Sequence, residues 1–217
     1  MKTYKAWILD FDGTLTRSLP VRLLMAAWLV GYYFLHPTRL REIFLLRDWR
    51  RLREERFCAA EENFRTRQVE ELSRRYALSV EAVEKILRTW MVERPQKILR
   101  HCTRRSLIAA AEAQQRRGVK LIVYSDNPAR EKVAAIDFPA DEIFSADDEF
   151  ISCMKPDARG LKKILAHMNL KPEDVLYIGD RHDRDGICAE AAGVDYCDVK
   201  ILENFFRASR KISAGGE

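Results

Sequence analysis

Several protein classes are excluded by what this sequence lacks. Its five cysteines, at positions 58, 102, 153, 188 and 197, form no CxxC pair and stand in no zinc-type spacing with histidine. Scattered in this way, they are expected to be reduced thiols rather than a disulfide or metal framework. The N-terminus enters a strand pattern ending at Asp10 instead of a basic region followed by a long apolar stretch, so no cleavable signal is expected and the protein is assigned to the cytoplasm. No uninterrupted apolar run reaches the roughly 20 residues of a transmembrane helix; the run from Leu23 to Leu35 has thirteen. Internal repeats, low-complexity segments, the GxSxG frame of serine hydrolases and recognised nucleic-acid-binding motifs are also missing.

What is present fits one large α/β unit carrying an insertion: 217 residues, 47% of them hydrophobic. The net charge of +5 is unevenly placed. Residues 17–105 hold 20 Lys+Arg against 11 Asp+Glu, a balance of +9, and the rest holds 18 against 22, or −4. This asymmetry marks two parts with different surroundings, the basic one suited to an anionic substrate, lipid or nucleic acid. The acidic remainder, together with the missing motifs, argues against nucleic acid.

Ala6 to Leu9 reads as a buried strand. The pattern then turns helical for about ninety residues. A mostly apolar helix covers Leu19 to Leu35, and an arginine-rich one, Arg39 to Arg56, places Leu45, Trp49 and Leu52 on one face. Two more follow, Cys58 to Tyr76 and Ser79 to Val92, with Ser79 as N-cap and Pro95 interrupting the pattern. After residue 105 helices alternate with strands, including VKLIVYS and a strand ending at Asp180. Helix–strand alternation of this kind implies a parallel sheet with right-handed crossovers. The expected fold is therefore α/β: a Rossmann-like parallel sheet core from residues 1–16 and 106–217, with an all-helical domain inserted over 17–105. Arg207 to Glu217 is expected to fray.

Asp10 and Asp12 follow the first strand at spacing i, i+2, with Gly13 and Thr14 next. Ligands of open α/β sheets lie at the carboxyl ends of strands, and Gly13 lets backbone N–H groups approach an anion. A calcium loop would need a third oxygen ligand before its glycine, which is absent. Ser125 ends a second strand in the same way, followed by Asp126. It can donate to a phosphoryl oxygen or cap the next helix. Lys155, before Pro156, could neutralise a phosphate and nearby carboxylates. Asp180 sits at another strand end with Asp183 and Asp185 in the following turn, an oxygen-rich loop of the type magnesium favours. His36, His101 and His167 show no partner pattern and read as structural.

Together the DFDGT segment, the strand-end Ser125, Lys155-Pro156 and the Gly-Asp followed by Asp185 resemble the haloacid dehalogenase-like hydrolase superfamily, over residues 4 to about 198. The helical insertion sits where many members carry a cap. The resemblance implies Asp10 as nucleophile, Asp12 as general acid/base, and Gly13, Thr14, Ser125, Asp126 and Lys155 around the phosphate. It implies Mg²⁺ at Asp10, Asp12, Asp180 and Asp185. The dehalogenase and phosphonate-cleaving branches lack an acid at the Asp12 position, so the expected reaction is Mg²⁺-dependent hydrolysis of a small soluble phosphomonoester through an aspartyl-phosphate. Lipid-linked phosphates or a catalytically silent phosphate-binding role are the alternatives. Arg17-Ser18 and Arg181-His182 depart from the family pattern and could tune substrate choice. The protein is expected as monomer or homodimer, without nucleic acid. The apolar run Leu23 to Leu35 is expected in the interior of the cap or in a dimer contact, the other reading being that it rests with the arginine-rich helix on an anionic membrane surface.

Overall fold

The computed structural model describes residues 2–55 and 64–205. Five parallel strands form one sheet in the order β3-β2-β1-β4-β5: β1 (Ala6–Leu9), β2 (Lys120–Ser125), β3 (Glu142–Ser145), β4 (Val175–Gly179) and β5 (Asp195–Asp198). β1 lies at the centre, Leu9 in register with Val123 on one side and Ile178 on the other. Because the chain builds outward from β1 through β2 to β3, then crosses to β4 and β5, the crevice at the carboxyl end of β1 is a topological switch point. β1 is buried on both faces, as its continuous apolar run requires. Ala6 and Ile8 pack with Leu161, Ile164 and Cys188 on one face of the sheet, while Trp7 and Leu9 pack with Leu107, Ala111 and Val133 on the other.

Between β1 and the core helix α6 (Arg105–Gln115) run α1 (Ser18–Leu35), α2 (Arg41–Glu55), α3 (Phe64–Tyr76), α4 (Val80–Arg88) and α5 (Arg94–Cys102). The start of the predicted third helix, with Cys58, lies outside the described residues, as do Arg56 and the tail from Arg207. The inserted helices share a core of their own, including Leu45, Trp49, Leu52, Leu72, Val83 and Trp90. Ser79 caps α4 by accepting the Ala82 N–H at 3.2 Å. Pro95 does not interrupt the helix as expected. A π-helical turn at Thr89–Glu93 joins α4 to α5, so the chain stays helical through Pro95, and the wider turn just before it takes up the break that a proline makes in a regular α-helical ladder. The insertion leaves and re-enters the core side by side: Arg17 N–H donates to Cys102 O at 2.8 Å and Arg104 N–H to Leu15 O at 2.9 Å.

Of the two places expected for the apolar run, cap interior and dimer contact, the structure overturns the first. The apolar run in α1 is not cap interior, for Tyr33 is the helix's one buried residue. Met25, Leu29 and Tyr32 are partly covered by the insertion core, Val21 by the sheet core and Trp28 by Arg94 and Lys97, while Leu19, Leu23, Leu24, Val30, Phe34 and Leu35 face outward. The helix is also longer than the run itself, with 18 residues, and by length and composition alone could cross a membrane.

Candidate functional site

β1, β2 and β4 all end at one cleft of ≈ 300 Å³, lined by Asp10, Asp12, Gly13, Ser125, Asp126, Lys155, Asp180 and Asp185 among others. Thr14, expected beside the phosphate, does not line the cleft: it is fully buried, and its hydroxyl has no hydrogen-bond partner among the described residues. Asp10 follows β1 directly, its N–H donating to Ile178 O at 3.0 Å. The turn that follows needs Gly13. Its φ is +104°, and a Cβ there would occupy the space of the Asp180 carboxylate. Arg104, at the return from the insertion, donates twice to Gly13 O, at 3.2 and 3.1 Å, and so fixes the same turn from behind.

Lys155 is the charge around which the site is built. It is 2% exposed and its ammonium donates to Asp10 Oδ1 at 2.7 Å and Asp185 Oδ1 at 2.6 Å, with Tyr177 Oη at 3.2 Å. Burial works against its charge, but Asp10 and Asp185 together hold its pKa well above the ordinary lysine value. Burial pushes the Asp10 carboxyl well up, against the pull of Lys155, and Asp185 adds to the rise. Asp180, half-buried, is pushed up to about 6 by burial and then by Asp185. One oxygen from each of Asp10, Asp180 and Asp185 lies within 4.8 Å of the others. Three carboxylates crowded so closely around one ammonium leave an excess of negative charge.

Asp12 is set apart from that group. Its carboxylate accepts from Lys132 Nζ at 3.0 and 3.2 Å and from Asn127 Nδ2 at 3.0 Å, with its side chain 38% exposed to the cleft. Burial would raise its pKa, yet Lys132 and then Asn127 bring it below the usual carboxylate range. Ser125 accepts the Asn127 N–H at 3.2 Å. Asp126 accepts the Lys155 N–H at 2.9 Å and pairs with Arg184 at 3.1 Å, so its carboxylate holds the lysine loop in place. Asp183 turns outward to Arg181 at 2.6 Å, away from the carboxylate group.

Lys132, Asn127 and Arg184 are the site residues that sequence reasoning missed. Asn127 stands two residues after Ser125, and Lys132 lies in the first turn of α7 (Arg130–Ala135) on the same loop, so a helix opening beside a catalytic strand end was the available signal. The insertion supplies the far wall through Val21, Arg22, Met25, Trp49, Arg50 and Trp90. It is tied to the core by the buried Arg53, which pairs with Asp147 at 2.9 Å.

The family model for haloacid dehalogenase-like hydrolases matches residues 4–193. No curated protein sequence matches the chain. Among solved structures, the chain is similar to a 2-haloacid dehalogenase from Pseudomonas syringae pv. tomato at 15% identity and TM-score 0.59, covering 89% of this chain and 85% of that one. It is similar to the HAD-hydrolase YfnB of Bacillus subtilis, solved bound to magnesium, at 15% identity and TM-score 0.60, with 90% and 88% covered. A predicted phosphoglycolate phosphatase from Haemophilus somnus gives 18% identity and TM-score 0.54, with 90% and 85% covered. At these identities the likeness speaks for the fold. Because dehalogenases and phosphatases both appear, the choice of reaction rests on the site.

Proposed function

This chain belongs to the haloacid dehalogenase-like hydrolase family, and from that premise we propose that it is a phosphatase, a Mg²⁺-dependent hydrolase of phosphomonoesters. The observation that carries this reading is Asp12, a second carboxylate open to the cleft two residues from Asp10 and held by Lys132 and Asn127. A halide departs without a proton, whereas an alkoxide needs one, so an acid positioned to protonate the leaving group serves ester cleavage, a task that departure of a halide does not set.

In this reading residues 1–16 and 106–217 form the catalytic core and 17–105 its cap. Asp10 attacks phosphorus, forming an aspartyl-phosphate as the ester oxygen leaves with a proton from Asp12. Asp12 then takes a proton from the water that cleaves the acyl-phosphate, and inorganic phosphate departs. The resting site holds Asp12 ionised, the state required for the second half. The first half needs its acid form, and an incoming phosphoryl dianion favours proton uptake by a neighbouring carboxylate. Lys155 and Ser125 face the phosphoryl oxygens, and the cap wall covers the organic part and excludes water. The four described cysteines are all free thiols, which suits a cytoplasmic setting.

The donor set suits a small hard cation: three carboxylates with oxygens within 4.8 Å, in excess over the ammonium between them. Asp10, Asp180 and Asp185 would hold Mg²⁺, which when bound supplies positive charge against the repulsion between nucleophile and phosphate; the Asp12 carboxylate, expected among the ligands, is engaged by Lys132 and Asn127 instead.

Two outcomes test these assignments. Asp12→Asn should lose turnover of alkyl phosphates by roughly 10²–10⁴-fold and lose much less with an activated aryl phosphate, whose leaving group needs no proton. Equal losses on both, or better turnover of a 2-chloro acid than of any phosphomonoester by the native protein, would overturn the phosphatase reading. The second concerns Asp180. Its folded pKa is raised to about 6, so in metal-free protein its cost to folding is absent below about pH 4, the unfolded carboxyl value, and grows until the pH passes 6. Metal-free Asp180→Asn is therefore expected to melt roughly 2–4 °C above the native protein at pH 8 and level with it near pH 4. Mg²⁺ should raise the native melting temperature and raise that of the variant less. An equal response to Mg²⁺ in both would remove Asp180 from the metal site.

A further inference from the structure

The outward face of α1 is apolar apart from Arg22 near its N-terminal end. Ten residues between Leu19 and Leu35 are exposed, and all but Arg22 are apolar or glycine. The large ones stand far out of the protein: Leu19 is 68% exposed, Leu23 62%, Val30 67%, Phe34 83% and Leu35 74%. At 100° per residue Leu19, Leu23, Val30 and Phe34 fall within one narrow stripe, so this is a continuous face and not scattered side chains. Soluble monomers rarely leave a contiguous apolar face of this kind uncovered. The opposite side of the helix is partly occupied by the insertion core through Met25, Leu29 and Tyr32, which holds α1 flat along the protein surface.

Charge identifies what covers the face. The 25 residues from Arg17 to Arg41 contain four arginines and no aspartate or glutamate. Two arginines, 17 and 22, stand at the N-terminal end of the apolar face and two, 39 and 41, beyond its C-terminal end. Arg22 and Arg41 have no ion-pair partner among the described residues, while Arg39 is paired with Glu42 at 2.6 Å and Arg17 lies 3.9 Å from Glu203. A second copy of this chain would fit poorly, because a two-fold contact sets a patch against itself and would bring Arg22 and Arg41, which carry no acid partner among the described residues, against the arginines of the other copy. An anionic bilayer offers acyl chains to the apolar stripe and phosphate headgroups to the arginines at its two ends.

We propose that α1 docks this protein on an anionic lipid bilayer, lying in the plane of the interface with its apolar stripe among the acyl chains. Ser18, Val21, Arg22 and Met25 of the same helix line the active-site cleft, so docking brings the mouth of the cleft to headgroup level. The docking rests on the exposed face and its charge, and is independent of the chemistry assigned to the cleft.

The test is sedimentation of the full chain with vesicles of phosphatidylcholine containing a minority of phosphatidylglycerol, alongside vesicles of phosphatidylcholine alone. The native protein is expected to pellet with the anionic vesicles at low salt and to be partly released by high salt, since screening removes the electrostatic share. Phe34→Ser combined with Leu35→Ser should lower that binding roughly tenfold or more. Because both side chains are exposed, the variant should keep the native melting temperature and its turnover of a soluble aryl phosphate. Failure of the native protein to pellet with anionic vesicles would overturn the proposal, as would equal binding to neutral vesicles. A native dimer in light scattering that the double variant dissolves, with no vesicle binding, would assign the face to a second copy instead.

Discussion

Asp10→Asn is expected to lower phosphomonoester turnover by about 10⁴-fold or more, the range seen when a covalent nucleophile is removed and only binding and electrostatics remain. The amide cannot form the acyl-phosphate, and the geometry supplies no substitute. Asp12 is held by Lys132 and Asn127, while Asp185 is engaged by Lys155 and is 2% exposed. The fold should not suffer, because asparagine keeps an oxygen to accept from Lys155 and removes one of the carboxylates crowded about it. Turnover measured beside thermal unfolding separates the two effects. A well-folded Asp10→Asn protein retaining a tenth of native activity would remove Asp10 from the mechanism.

Lys155→Met is expected to damage both function and stability. The ammonium lies 2.7 Å from Asp10 and 2.6 Å from Asp185, with all three side chains less than a tenth exposed. Removing one partner from a buried ionic group costs about 3–5 kcal/mol, because the charges left behind have neither solvent nor counter-ion. For a chain of this size that lowers the melting temperature by roughly 10 °C. The loss should depend on pH with a definite sign. Without the lysine the Asp10 carboxyl, already raised by burial, loses the charge that pulled it down, so the folded state holds a proton there that the unfolded state releases, and the penalty grows as pH rises. The variant should thus fall furthest below the native protein at pH 8 and recover towards it at pH 5. Adding Asp185→Asn should restore part of the stability without restoring turnover. A melting temperature unchanged at pH 8 would show that the ion cluster contributes nothing to the fold.

The residues that declared themselves in the sequence are those whose neighbours along the chain already constrain them. Asp10, Ser125 and Asp180 each follow a continuous apolar run, and such a run can hardly be anything but a central strand of a sheet covered on both faces. β3 and β5 were harder to read because they are the sheet's edges. Glu142–Ser145 and Asp195–Asp198 mix charged and apolar residues, with one face or end left to solvent. The grip of Lys132 on Asp12 spans 120 positions, and no local pattern encodes it: a lysine on a short helix looks like any surface charge until the sheet brings β1 and β2 together. The thirteen-residue apolar run shows the opposite error. Its composition suggested an interior, but burial is settled by what surrounds a helix, and here one side was left uncovered.

The paired hydrogen bonds where the insertion joins the core also bear on how the sheet assembles. β1 is finished at Leu9, yet the partner it needs first, β2, begins at Lys120. With the intervening 110 or so residues unfolded, pairing these strands closes a very long loop. Once the five helices have gathered on their own core, Arg17 and Arg104 already lie side by side, and the loop is effectively reduced to about eight residues on one side and sixteen on the other. By the logarithmic dependence of closure entropy on length, that contraction is worth roughly 1.3 kcal/mol. Helices depend on contacts near in sequence and form ahead of distant strand pairings. The insertion thereby acts as a splint, delivering the two central strands to one another before either has made a contact of its own.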